Sequence, residues 1–307
     1  IDMALWDILG KTSGKPLYAL LGGKMRNSVL CYSHILGKTM EDKIARAADY
    51  VKQRQLKVIR LRAGIPAAAG TFGVKSPQNG PLVEPWNPEE EIYNSIEYFI
   101  RVREAVGRDV GIIYDLHERF SPDQAIRIMR SLELYNPFFI EDPIAPDCVD
   151  SLRYVREKTS VPIAFGELYK SRWECLPAIT GHWVDYIRCD VIRVGGITEA
   201  RKIASLAETY DIKTAWHGPN DVSPITHAVN WHLNVSEYNF GIQEDGTTDG
   251  LIHEVVSGGP VYENGSLFME DRPGIGCDVD EAAAARYPFR KAYIPICRQG
   301  DGSLHTW

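Results

Sequence analysis

Short apolar runs recur along the chain at an even pitch, each followed by a stretch with helical periodicity. They are "SVLCYSHILG" (28–37), "LKVIRLRAG" (56–64), "DVGIIYDLH" (109–117), "NPFFIEDP" (136–143), "VPIAFGE" (161–167), "VDYIRCD" (184–190), "DIKTAWH" (211–217) and "YNFGIQE" (238–244). Near-continuous apolar strands alternating with helices specify a parallel sheet covered on both faces. Eight of them in 307 residues match the length over which a (β/α)8 barrel closes. The intervening segments carry helix start signals. "SPDQ" sets Ser121 at an N-cap, Pro122 at the first helical position and Gln124 where a capping box needs it; "NPEE" does the same with Asn87, Pro88 and Glu90. In "ITEARKIASLAETY", Ile197, Ala200, Ile203, Ala204 and Ala207 share one face.

Two regions interrupt the rhythm. Residues 63–87, "AGIPAAAGTFGVKSPQNGPLVEPWN", form a long Gly/Pro/Ala-rich connection after the second strand, a length typical of active-site lids or of disordered segments. From 258 onward the chain is rich in Gly and Pro, and is expected to wrap the barrel rather than fold separately. The opening "IDMALWDILGK" begins in mid-helix without an initiator methionine, as a fragment lacking an N-terminal part would. The expected organisation is therefore 1–27 as a linker and helix leading in, 28–257 as the barrel with its lid loop, and 258–307 as the wrapping tail.

Asp115, Glu141 and Glu167 close three successive strands, each 26 residues after the last, one βα unit apart. Equal register would bring three carboxylates to one C-terminal rim, where barrel enzymes build their sites. Three acids facing one another cannot all stay ionised without a cation. Oxygen-only ligands favour Mg²⁺. A single acid at a strand end is usually a surface residue; three at equal pitch point to a metal. The series continues with Asp190, His217 and Glu244 at intervals of 23, 27 and 27, with Arg188 on the face of Asp190 by strand alternation. His117 ends the strand of Asp115, two residues on and on the same face, and Arg60 shares a face of the second strand with Arg62.

Composition narrows the partners. A net charge of −7 speaks against nucleic acid and anionic membranes, and no apolar run approaches the roughly 20 residues of a membrane span. Six cysteines without a C-x-x-C pair read as reduced, mostly buried thiols of a cytoplasmic protein.

The segments "YDLHE", "IEDPIAP", "FGELY", "VGGITEARKIASLAE", "HGPNDVSP", "NFGIQE" and "AYIPICRQGDGSLHTW" together resemble the enolase superfamily, and within it the mannonate dehydratase subgroup, which includes proteins labelled starvation-sensing. The opening helix is similar to the segment joining that family's N-terminal capping domain to its barrel. The resemblance implies a modified TIM barrel, (β/α)7β, with the capping domain largely missing from this chain. It implies Mg²⁺ on Asp115, Glu141 and Glu167, and a homo-oligomer. The reaction it implies is loss of water from a sugar acid, D-mannonate or a related hexonate such as D-gluconate, giving a 2-keto-3-deoxy acid. His117 matches the general acid; Arg188, His217 and Glu244 match residues lining the substrate, and Asp190 would orient His217. Arg60 matches an arginine that works beside a tyrosine base. At that tyrosine's position, twelve residues on, stands Phe72, which cannot take a proton. Weakened activity is then expected, with His217 as the replacement base. The alternative is a non-catalytic, metal- and sugar-acid-binding regulatory protein.

Overall fold

Each of the eight apolar runs forms a strand. These are β1 (Val29–His34), β2 (Val58–Arg62), β3 (Gly111–Asp115), β4 (Phe139–Glu141), β5 (Ile163–Phe165), β6 (Tyr186–Ile187), β7 (Lys213–Thr214) and β8 (Gln243–Glu244). The structure, a computed structural model, describes residues 1–64, 83–147, 149–220, 222–246, 252–289 and 296–305. The chain divides into two compact units, one of Ile1–Ser33, Arg54–Val58 and Ala164–Tyr287, the other of His34–Gln53, Ile59–Ile163 and Pro288–Trp307.

In the second unit β2 neighbours β3 and β3 neighbours β4. β3 and β4 run parallel, with Ile113 opposite Phe139 and Asp115 opposite Glu141. Tyr114, fully buried, meets the edges of Phe99 and Tyr98 from the helix Pro88–Val106. Strand residues 112–114 are fully buried, as the continuous apolar run requires of a strand covered on both faces. The helix Pro122–Leu132 carries the full capping box. Ser121 Oγ accepts from Gln124 N, and Gln124 Oε1 accepts from Ser121 N. At the helix Pro88–Val106 the cap is simpler than the sequence suggests, because Asn87 accepts from Glu89 N rather than engaging Glu90. A short strand at Val83–Pro85 runs parallel to Ile296–Arg298.

In the first unit β5, β6 and β7 are parallel, and Phe165, Ile187 and Thr214 stand at one level. Thr214 bridges Phe240, which leads into β8. β8 lies parallel to β1, with Tyr32 opposite Glu244. On the other edge of β1 the hairpin Val261–Glu263 and Ser266–Phe268 adds antiparallel strands. Trp231 and Val235 from the helix Pro224–Ser236 pack with Val29, Cys31 and Leu267. The helix Ile197–Thr209 buries Ile197, Ala200, Ile203, Ala204 and Ala207, the face its periodicity marks. Cys31, Cys175, Cys189 and Cys277 are buried, and Cys175 Sγ lies 3.4 Å from Cys189 Sγ. Among the described residues no helix is long and apolar enough to cross a membrane.

Candidate active site

In the second unit, β3 and β4 deliver Asp115 and Glu141 side by side, both wholly buried. Arg60, on β2, joins them. Its Nη2 lies 2.5 Å from Asp115 Oδ2 and 2.6 Å from Glu141 Oε1, and its Nε lies 3.1 Å from the same Glu141 oxygen. Two carboxylates brought together in the interior are penalised by desolvation unless positive charge meets them, and Arg60 supplies part of it. A hard dication with oxygen preference suits such a pair. Asp142 is also buried, and it and Glu141 bring carboxylate oxygens within 4.8 Å of each other. Sequence reasoning passed over Asp142, although "IEDP" shows a second acid beside the first.

His117 reaches this group by a route that strand alternation does not describe. β3 ends at Asp115, and His117 and Glu118 both take left-handed backbone conformations, φ 52° and 61°. Two consecutive non-glycine residues in that region cost free energy, and such strain gathers at functional sites. The turn is held by its neighbours: His117 N donates to Asp115 Oδ1 at 2.7 Å, and Glu118 N donates to Asp142 O at 2.8 Å. The Asp115 carboxylate thus grips Arg60 with one oxygen and the His117 backbone with the other.

The first unit assembles the remaining polar residues around Arg188, which is completely buried. Arg188 donates to Glu167 Oε2 at 3.0 Å, to Glu244 Oε2 at 2.5 Å and to the Tyr32 hydroxyl at 3.4 Å. His217 Nδ1 lies 2.8 Å from Asp190 Oδ2, and its Nε2 lies 3.5 Å from Glu167 Oε2. A carboxylate can only accept from a neutral imidazole, so Asp190 places the proton on Nδ1. Burial presses the His217 pKa down, but Glu167, Asp190 and Glu244 outweigh it, and His217 sits above its ordinary value. Burial pushes the Asp190 carboxyl up. The His217 contact and the amides of Ile192 and Arg193 more than reverse this, leaving it below the usual range.

The backbone after β7 is clamped as well. Gly218 N donates to Glu244 Oε2 at 2.7 Å, and Asn230 Nδ2 donates to His217 O at 3.0 Å. A Cβ on Gly218 would stand 3.2 Å from Asn230 Nδ2 and from Glu244 O, closer than most side chains tolerate. Neither Asn230 nor Tyr32 was singled out by sequence, since each acts through a fold contact with no spacing signature. The structure therefore gathers Arg60, Asp115, His117 and Glu141 in one unit, and Glu167, Arg188, Asp190, His217 and Glu244 in the other. Phe72 lies outside the described residues.

Strands that hand a carboxylate, a guanidinium or an imidazole to the segment after them define a class: β/α chains whose chemistry sits at strand C-termini. The family described as Enolase C-terminal domain-like matches residues 43–283. A D-galactonate dehydratase family member from Streptomyces bingchenggensis is 38% identical over 316 residues, covering 100% of this chain and 77% of the relative. A D-mannonate dehydratase from Sphingomonas is 39% identical over 317 residues, covering 100% of this chain and 78% of the relative. A crystal structure of an enolase from Pantoea ananatis with bound d-gluconate and Mg superposes with a TM-score of 0.89 at 36% identity, over 99% of this chain and 77% of that one. The chain belongs to the enolase superfamily, in its mannonate dehydratase subgroup, and has that superfamily's fold, a modified (β/α)8-type barrel.

Proposed function

We propose that this chain removes water from a hexonate, D-mannonate or a relative such as D-gluconate, to give a 2-keto-3-deoxy acid. More broadly, the protein is a Mg²⁺-dependent hydro-lyase of sugar acids, in keeping with the Sphingomonas D-mannonate dehydratase and the gluconate- and Mg-bound Pantoea structure. Asp115, Glu141 and Glu167 would hold the ion. The buried oxygen-only pair on Arg60 supports this, and Asp142 adds a further oxygen donor nearby. When bound, Mg²⁺ offsets the negative charge that develops at the substrate carboxylate as the α-proton leaves.

The observation that carries the reading is the His217–Asp190 pair beside Glu167 and Arg188. With Nδ1–H held by Asp190, neutral His217 keeps a lone pair on Nε2 that can take the α-proton. His117 then donates to the departing 3-hydroxyl, its ring placed by the strained turn that Asp115 pins. Arg188 and Glu244 orient the substrate, and Arg60 offsets charge near the developing anion. The test incubates purified protein and Mg²⁺ with a panel of hexonates and assays 2-keto-3-deoxy acid. Product from at least one is expected, with loss of roughly 100-fold or more in His117→Asn and His217→Asn. No product from any acid sugar would refute the enzyme reading.

A second reading has one residue in its favour. Phe72 stands where the subgroup's base is a tyrosine, which fits a protein that binds metal and sugar acid without turning the acid over. Phe72→Tyr separates the two: a gain of mannonate dehydration in that variant alone means the pocket is competent and only the base is missing.

A further inference from the structure

Glu244 stands on a strand of two residues. β8 pairs with β1 through Cys31 opposite Gln243 and Tyr32 opposite Glu244, and one further amide, Asp245 N, donates to Tyr32 O at 3.0 Å. Strand alternation turns Glu244 toward Arg188 and sends its two neighbours, Gln243 and Asp245, to the opposite face. Both neighbours are anchored there. Asn234 Nδ2 donates to Gln243 Oε1 at 2.8 Å. Asp245 is the more demanding of the two, a carboxylate whose side chain is 0% exposed.

Arg54 meets that carboxylate. Its Nη2 lies 3.3 Å from Asp245 Oδ2, and its Nη1 donates to Ser33 Oγ at 3.1 Å. Ser33 Oγ lies in turn 3.5 Å from the same Asp245 oxygen, closing a triangle. Arg54 is itself fixed, with its guanidinium 4.1 Å from the centre of the Tyr262 ring and its carbonyl oxygen accepting from the Tyr262 hydroxyl. β1 repeats the arrangement of β8: Tyr32 reaches Arg188 on one face, and Ser33, next to it, faces Asp245 on the other. A buried carboxylate parted from its cation is strongly destabilising. The chain must therefore hold Asp245 against Arg54, and that constraint passes to the residue before it.

We propose that Asp245 is a positioning residue: paired with Arg54 behind the β1–β8 seam, it fixes the direction in which Glu244 meets Arg188 and the substrate. The inference rests on the sugar-acid reading for the substrate; the aim of Glu244 at Arg188 and at Gly218 N is geometry. Asp245 itself faces away from the reacting atoms. Its loss should be felt as weaker substrate binding, common to ground state and transition state, rather than as slower chemistry.

Steady-state kinetics at saturating Mg²⁺, with whichever hexonate of the panel gives most product, test this. Asp245→Asn keeps the shape and removes the charge, while Arg54→Met keeps the stem and removes the fork. Each should raise KM roughly tenfold and change kcat by less than about threefold. The double variant should be no worse than the weaker single, because both changes open one clamp. A role confined to stability would instead lower the active fraction, and so kcat, with KM unmoved; that result would overturn the proposal, as would losses in KM that multiply in the double variant. If neither charge variant folds, Ser33→Ala, which removes the hydroxyl between the two and no charge, should raise KM about threefold, and an unchanged KM there would overturn it. If the wild type turns over no acid sugar, it is the sugar-acid reading that fails, and thermal melts of Asp245→Asn, Glu244→Gln and their double variant then judge the clamp. A loss of Tm in the double variant smaller than the sum of the single losses supports it; losses that add overturn it.

Discussion

Glu237 shows how far burial alone can set a residue's chemistry. Its carboxyl receives hydrogen bonds from Trp216 Nε1 at 3.2 Å and Thr214 Oγ1 at 3.3 Å, while Oε1 has no hydrogen-bond partner among the described residues. Burial raises its pKa to about 7, against the opposing pull of those two donors. The folded protein therefore keeps a proton there between pH 4.5 and about 7, where the unfolded chain has released it. Protons bound in excess by the folded state make stability fall as pH rises across that window. At 1.36 kcal/mol per unit, the loss is about 3 kcal/mol by pH 8. Glu237→Gln keeps an acceptor for Trp216 and cannot ionise. Urea melts should show it more stable than wild type by up to that amount at pH 8, with the difference vanishing near pH 4. Nothing in "VSEYN" discloses this acid, because its state depends on what packs over it. Asp115 and Glu141 were legible for the opposite reason: β-strand register fixes them and spacing records register.

At the scale of elements, the ends of helices and strands repay attention more than their middles. The capping box at Ser121 satisfies orphan amides at the start of the helix Pro122–Leu132, whose Ile128, Met129 and Leu132 are fully buried. Ser121→Ala should cost about 1 kcal/mol in chemical denaturation, and Ser121→Asp should restore most of it. The end of β7 is less forgiving. Gly218 sits between Asn230, Glu244 and His227, with a would-be Cβ at 3.2–3.3 Å from each. Gly218→Ala should lower stability by about 1–3 kcal/mol on thermal melting, as overpacking does in a full interior. It should also disturb the His217 backbone that Asn230 clamps. Helix caps and the buried face of Ile197–Thr209 could be read directly, since both are local patterns of residue type. The left-handed turn at His117 could not. It depends on Asp115 Oδ1 and Asp142 O being present to receive two amides, and the second of these is set by the segment after β4 rather than by the turn's own sequence.

For the molecule as a whole, stability and ion binding are one equilibrium. The chain carries a net charge of −7, and two of its acids, Asp115 and Glu141, are entirely buried against Arg60. Removing one partner from such a cluster leaves charge stranded in the interior, at a cost of about 3–5 kcal/mol. Arg60→Ala should therefore unfold at much lower temperature than wild type in EDTA. Mg²⁺ binds the folded protein and not the unfolded chain, so 100-fold excess over its dissociation constant should stabilise wild type by about 2.7 kcal/mol. In Arg60→Ala the carboxylates have lost the guanidinium that pairs with both, so the gain from Mg²⁺ should be larger than in wild type. In the double variant Asp115→Asn, Glu141→Gln it should be absent. Differential scanning calorimetry with EDTA and with Mg²⁺ measures all three. An equal Mg²⁺ shift in wild type and the double variant would remove Asp115 and Glu141 from the metal site, and a smaller shift in Arg60→Ala would mean that the guanidinium helps to build the ion's site rather than standing in for its charge.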